Sequence, residues 1–197
     1  MKIGVYGSAA RELTEAVRAK ARQIGKAVAE NNAILITGGC SGLPHEAAVA
    51  CSQAGGKCIA FSPAVDIEGH QKIGFPSEGF SEFIFVPKDF HYSNNDLVCK
   101  KYRNVMSVAY IDAAIIISGR IGTMSEFTMA YDMGKTIGVL TGTGGITERA
   151  IKVLIEDAGK KTGAQVIFES NAKKLVDTVC KKSQCDINKK NESKRKI

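Results

Sequence analysis

The sequence predicts an α/β chain with one Rossmann-like, doubly wound, mostly parallel sheet flanked by helices. Three observations predict it. Short β-branched runs alternate with helical stretches from one end to the other. Runs such as Ile34-Leu35-Ile36 and Ile115-Ile116-Ile117 are apolar without alternation, as strands covered by helices on both faces must be. Glycine- and hydroxyl-rich turns follow the strands and run into helices.

Taken in order, residues 2–6 are the first strand, closed by Gly7. Residues 13–30 follow as a helix, with Leu13, Val17, Ala21, Ile24 and Val28 on one face and Arg, Lys and Glu on the other. Strands at 33–37 and 57–62 enclose a helix at 44–54. Residues 63–81, rich in Gly, Pro and His, show no periodicity and are expected to form a long loop, a common setting for lids and binding loops. A strand at 83–86 and a helix at 96–110 come next. Strands at 113–117, 136–140 and 165–168 then alternate with helices at 123–133, 147–159 and 172–181. Residues 1–180 form one domain. From Lys181 to Ile197 the chain is polar and lysine-rich, and it is expected to be a disordered basic tail because it buries too little to offset its ordering entropy.

The 197 residues carry a net charge of +7, which invites a nucleic-acid reading. Residues 181–197 account for +5 of this, leaving only +2 over residues 1–180, so specific nucleic-acid binding is not expected. The apolar run 113–117 is far short of the roughly 20 residues that span a bilayer, so no membrane partner is expected. Met1-Lys2 leads directly into the first strand without an apolar leader, so a cytoplasmic location is expected. The six cysteines show no C-x-x-C pair, and in a reducing compartment they read as packing residues. His45, His70 and His91 are too scattered for a metal site, and no metal is expected.

Ligands of open parallel sheets bind at the carboxyl ends of the strands. There the chain places Gly7-Ser8-Ala9, then 37–44 (T-G-G-C-S-G-L-P), then 118–126 (S-G-R-I-G-T-M-S-E), then 141–145 (T-G-T-G-G). Glycine lets backbone N–H groups approach an anion, and a helix N-terminus adds partial positive charge. Any one such turn can need glycine for its geometry alone, but four on one edge point to a bound phosphate. A dinucleotide is disfavoured because no G-x-G-x-x-G follows the first strand and no carboxylate ends the second. Gly134-Lys135-Thr136 precedes a strand and is a helix C-terminal turn, not a phosphate loop.

Gly7-Ser8, the turn Thr37-Gly38-Gly39 with Gly42-Leu43, Arg103-Asn104, and Gly119, Gly122, Thr123 and Glu126 resemble, in order and spacing, the Lonely Guy (LOG) family, whose members were often labelled lysine decarboxylases. The resemblance covers about residues 1–160. It implies phosphoribohydrolase activity, in which the base is released from a nucleoside 5′-monophosphate. It also implies a homodimer or higher homo-oligomer, and no required cofactor. The family pattern is P-G-G-x-G-T-x-x-E with an upstream M-H-x-R-K. Here Ser118-Gly119-Arg120 stands for P-G-G, and Lys100-Lys101-Tyr102-Arg103-Asn104 stands for M-H-x-R-K. The Arg-Asn form resembles a branch that includes proteins similar to molybdenum-cofactor carriers, which bind without turnover.

The resemblance implies catalytic roles for Arg103 and Glu126. It implies ligand or phosphate contacts for Gly7, Ser8, Thr37, Gly38, Gly39, Gly42, Asn104, Gly119, Gly122 and Thr123, and Ser118 and Arg120, which depart from the pattern within the same turn, are candidate contacts beside them. A carboxylate such as Glu126 can stabilise an oxocarbenium-like state and activate water. Other readings stay open. Thr123-Met124-Ser125-Glu126 matches a helix capping box. Arg103 fits a solvated basic face beside Lys100 and Lys101. Arg120 either clamps an anionic ligand or closes the pocket. Tyr6, Pro63 and Tyr92 are candidates to pack a base, and Glu68-Gly69-His70 to reach a ligand from the long loop.

Overall fold

A computed structural model describes residues 1–9 and 13–195, the side chains of 189–195 excepted. Seven parallel strands form one sheet: β1 (Lys2–Gly7), β2 (Ile34–Thr37), β3 (Cys58–Phe61), β4 (Glu82–Ile84), β5 (Ala113–Ile117), β6 (Thr136–Leu140) and β7 (Gln165–Glu169). Their spatial order is β4-β3-β2-β1-β5-β6-β7. The chain therefore builds outward from β1 in one direction, then crosses back to β5 and builds in the other. The register pairs Gly7 with Ile117, so the first and fifth strands end level with each other.

Helices α1 (Glu15–Glu30), α2 (Leu43–Gln53) and α7 (Ala172–Arg195) cover one face. Helices α4 (Asp96–Tyr110), α5 (Ile121–Asp132) and α6 (Ala150–Ala158) cover the other, and the short α3 (Ile67–Lys72) lies between β3 and β4. The period of two in β5 divides its isoleucines: Ile115 and Ile117 enter the core under α1, α2 and α7, while Ile116 enters the opposite core beside Phe127 and Val139. Both layers are closed over β5, which is why that strand shows no polar position.

Three expectations need correction. The stretch 63–81 is not wholly irregular, because Asp66 caps α3 by accepting from the Gly69 backbone N–H at 2.9 Å. His70 then pins this segment: Ser62 Oγ lies 2.9 Å from its Nδ1, and its Nε2 lies 3.0 Å from the Pro76 carbonyl. The stretch 147–159 is interrupted, with a 3-10 turn at Gly145–Thr147 and α6 beginning only at Ala150.

The third correction concerns the tail. Backbone helix continues from Ala172 to Arg195, so residues 181–195 extend α7 where an irregular tail was expected; 196–197 lie outside the described residues. Composition misses the anchors. Cys180 and Ser183 are buried, and the Asp186 carboxylate accepts from Thr136 Oγ1 at 3.2 Å and Gln165 Nε2 at 3.1 Å. A few well-placed contacts to β6 and β7 thus hold a helix whose composition alone reads as solvated. Among the described residues no helix is long and apolar enough to cross a membrane.

Candidate active site at the β1–β5 crossover

The strand order reverses between β1 and β5, and crevices for ligands form at such switch points. A cavity of about 180 Å³ opens there. The turn after β1 supplies Gly7, Ser8 and Ala9, the turn after β2 supplies Gly38 and Cys40, and α2 supplies Pro44. Helix α4 supplies Arg103 and Asn104, the turn into α5 supplies Arg120, Gly122, Thr123 and Glu126, and Val5 and Tyr6 complete the lining.

Arg103 reaches this cavity because α4 crosses below the β2 turn. Its Nη1 donates to the Gly38 carbonyl, and the side chain is 9% exposed. The solvated-face reading of Arg103 is therefore wrong: Lys100 and Lys101 face water, while Arg103, three positions beyond Lys100, turns inward. The helix is tied to β1 by a relay in which Tyr6 Oη lies 3.3 Å from Ser107 Oγ, and Ser107 Oγ donates to the Asn104 carbonyl at 3.0 Å. Arg103 Nε and Asn104 Oδ1 are buried without a hydrogen-bond partner.

Glu126 is 8% exposed and lies one turn inside α5. The helix begins at Ile121 with Arg120 as its N-cap residue, so Thr123 and Glu126 do not form a capping box. Burial pushes the Glu126 carboxyl up to about 7, and Arg103 and Lys101 only partly offset it. Burial and the Glu126 charge also raise the Tyr6 phenol, so it stays neutral. Burial raises the Cys40 thiol, with Arg103 opposing.

The remaining predicted positions build the cradle and do not line the cavity. Thr37 Oγ1 accepts from the Gly39 N–H at 2.9 Å, closing the β2 turn. Gly42, with φ of 91°, precedes α2 and packs against the Ser8 carbonyl. Ser118 adopts φ of 53° and donates its N–H to Thr143 Oγ1 at 2.9 Å. A proline, locked near φ of −65°, does not fit this backbone, which accounts for the departure from P-G-G at position 118. Gly119, at φ of 98°, is followed by a turn so tight that a Cβ there would sit 2.5 Å from Thr123 Cβ. The turn at 141–145 serves as a brace: Thr143 holds Ser118, and Ile146 N–H donates to the Gly119 carbonyl at 3.1 Å.

Of the candidates for packing a base, Tyr6 lines the cavity, Pro63 belongs to a separate cavity under α3, and Tyr92 is exposed. His70 of the long loop is a buried clamp. Sequence reasoning missed Cys40 and Ala9 as lining residues; both lie inside turns already recognised, but their side chains suggest no phosphate chemistry.

The fold and site define a Rossmann-like protein whose crevice at the β1–β5 crossover is lined by a buried arginine and a buried glutamate. The chain belongs to the SLOG cluster4 family, whose model matches residues 1–176. It is 30% identical over 140 residues to an uncharacterized protein of Archaeoglobus fulgidus, covering 71% of this chain and 80% of that one. It is similar in structure to the molybdenum cofactor carrier protein of Chlamydomonas reinhardtii, with TM-score 0.67, 22% identity, and coverage of 93% of this chain and 98% of that one. It is also similar to DNA processing protein A of Helicobacter pylori, described in a single-stranded DNA binding mode, with TM-score 0.63, 22% identity, and coverage of 92% and 81%.

Proposed function

We propose that this protein binds a nucleoside 5′-monophosphate in the β1–β5 crevice and hydrolyses its N-glycosidic bond. One observation carries the reading: Glu126, held near neutrality by burial, and the buried Arg103 line the same cavity as the glycine turns. The N-terminus of α5, with Gly122, Thr123 and Arg120, receives the phosphate. Ionised Glu126 takes a proton from water as the water oxygen bonds to C1′. The C1′–N bond breaks, its electron pair leaves with the base, and the proton held by Glu126 returns to that base. Arg103, permanently charged, supports the ribose or the departing base. No cofactor takes part.

A second reading has its own support. Arg120 adds a cation where the family pattern has glycine, which suits a more anionic ligand held without turnover. The similarity to a molybdenum cofactor carrier supports a phosphate-bearing cofactor as the class of that ligand. The small recessed cavity and the modest charge of residues 1–180 favour either small molecule over single-stranded DNA.

Incubation with AMP, GMP, CMP and isopentenyladenosine monophosphate separates the readings. Free base with equimolar ribose 5-phosphate supports hydrolysis; tight binding of a phosphate compound without base release supports the carrier. A homodimer is part of the proposal, supported by the apolar face that α4 and α5 leave in water.

A further inference from the structure

We propose that Asn104 selects ligands by a sugar hydroxyl, so that this cavity distinguishes ribose from deoxyribose. The inference rests on the nucleotide reading above and deepens it. Asn104 is 5% exposed, lines the cavity beside Arg103, and its side chain makes no hydrogen bond among the described residues. A buried amide without protein partners is costly, and native structures satisfy such groups with ordered water or with a bound ligand or ion.

The chemistry of the two orphaned atoms narrows the ligand. Arg103 Nε is a donor, and Asn104 Oδ1 is an acceptor. An ionised phosphate only accepts, so it can answer Nε, yet in the orientation the structure shows it meets Oδ1 acceptor against acceptor and would need the amide turned to present Nδ2. A hydroxyl both donates and accepts, so hydroxyls satisfy both atoms. The neighbouring Glu126 carboxylate is a further acceptor on the same cavity, again suited to O–H and not to phosphate. The sugar subsite is therefore assigned beside Arg103, Asn104 and Glu126, and the phosphate to the first turn of α5 at Gly122 and Thr123, one helical turn from Glu126.

Arg103 is restrained through Gly38, so its position does not depend on the ligand. The backbone of Asn104 is held within α4 and its carbonyl also accepts from Ser107 Oγ, but its side-chain oxygen has no hydrogen-bond partner among the described residues. Its amide is thus the member of the pair free to follow a hydroxyl, and discrimination is assigned to it.

The test is calorimetry at pH 8, where phosphate monoesters are doubly ionised, using ribose 5-phosphate and its 2-deoxy and 3-deoxy analogues. These probes carry no base, so the unidentified base does not enter. The unaltered protein is expected to bind at least one deoxy analogue ten-fold or more weakly than ribose 5-phosphate. Asn104→Ala should bring the three sugars to within about three-fold of one another, while Asn104→Asp, which keeps an acceptor, should retain the ten-fold gap. Because alanine removes an unpaired polar group, its melting temperature should not fall, which keeps the variant usable. Equal binding of the three sugars by the unaltered protein overturns the proposal and leaves the nucleotide reading standing. A gap that survives in Asn104→Ala overturns the role of Asn104. If none of the three binds, the nucleotide reading falls together with this one.

Discussion

The guanidinium of Arg103 occupies the space that a side chain at position 38 would need. Its Nη1 donates to the Gly38 carbonyl, and a Cβ built on Gly38 collides with that same nitrogen. Gly38 has no positive φ, so its backbone tolerates alanine and only Arg103 forbids it. Gly38→Ala should therefore displace Arg103 and reduce ligand affinity by ten-fold or more. It should also cost about 1–3 kcal/mol of stability, because the guanidinium, the far end of a flexible side chain, gives way and loses its bond to the Gly38 carbonyl. Adding Arg103→Ala should relieve the clash. In a double-mutant cycle the stability losses should be strongly non-additive, while binding stays lost. Additive losses in denaturant titrations would show that the two residues do not compete for one space.

Arg120 stands at the N-cap of α5, exposed at the rim, and the first turn of that helix contains no acidic residue to compete with an anion. Arg120→Gly should weaken a doubly charged phosphate ligand about three- to ten-fold at low ionic strength. The difference should shrink by 0.5–1 M salt, where charges more than about 3–5 Å apart are screened. Glycine is acceptable at an N-cap, so the melting temperature should move little. Binding curves at two salt concentrations check this. A salt-independent loss would mean that Arg120 shapes the site and does not attract the ligand.

The alternation of strands and helices, the wholly apolar β5 and the glycine turns make the doubly wound fold readable in the sequence. The crevice followed from topology, because turns after β1, β2 and β5 converge wherever strand order reverses. Arg103 and Glu126 were also legible, but their surroundings were not. Nothing in Lys100-Lys101-Tyr102-Arg103 tells which cation turns inward, since that depends on how α4 crosses the β2 turn. The capping-box match at Thr123–Glu126 misled because the helix starts two residues earlier, at Ile121, where Ser118 and Gly119 turn the chain with positive φ. The terminal helix was missed for a different reason. Its order depends on Asp186 meeting Thr136 and Gln165, a pairing over long sequence separation that local composition does not encode.

Helix α4 is apolar on more than its buried side. Leu97, Val105, Met106 and Tyr110 are exposed on it, and Ile121 at the start of α5 is 80% exposed. Leaving these side chains in water forfeits the transfer free energy that covering them would return, about 25 cal/mol per Å². The expected outcome of light scattering on a sizing column is a homodimer of the 21.1 kDa chain. Replacing Val105 and Met106 together by glutamate should give a monomer with an unchanged circular dichroism spectrum. A wild-type monomer at tens of micromolar, or an unaltered oligomer in the double variant, would remove this face as the interface.

Glu126 couples the chemistry of the site to the stability of the fold, and the two respond to pH in opposite directions. Its carboxyl ionises at an ordinary 4.5 in the unfolded chain but near 7 in the folded one, because burial penalises the charge more than Arg103 and Lys101 favour it. Between those values the folded protein holds a proton that the unfolded chain has released. Stability contributed by this group is therefore complete below about pH 4.5, declines as pH rises to about 7, and is flat beyond; the ionised carboxylate then costs the fold on the order of 3 kcal/mol. Hydrolysis needs that ionised form, so kcat/KM should rise with pH through about 7 while this residue's share of stability is being lost. Glu126→Gln should be inactive at every pH. It should nonetheless be more stable than the unaltered protein at pH 8, by about 1–3 kcal/mol, and nearly equal to it near pH 4. Melting curves at the two pH values, read beside base release, decide the matter. A glutamine variant that melts lower at pH 8 would mean that the charge of Glu126 holds the fold together, and its assignment as a strained, functional carboxylate would fall.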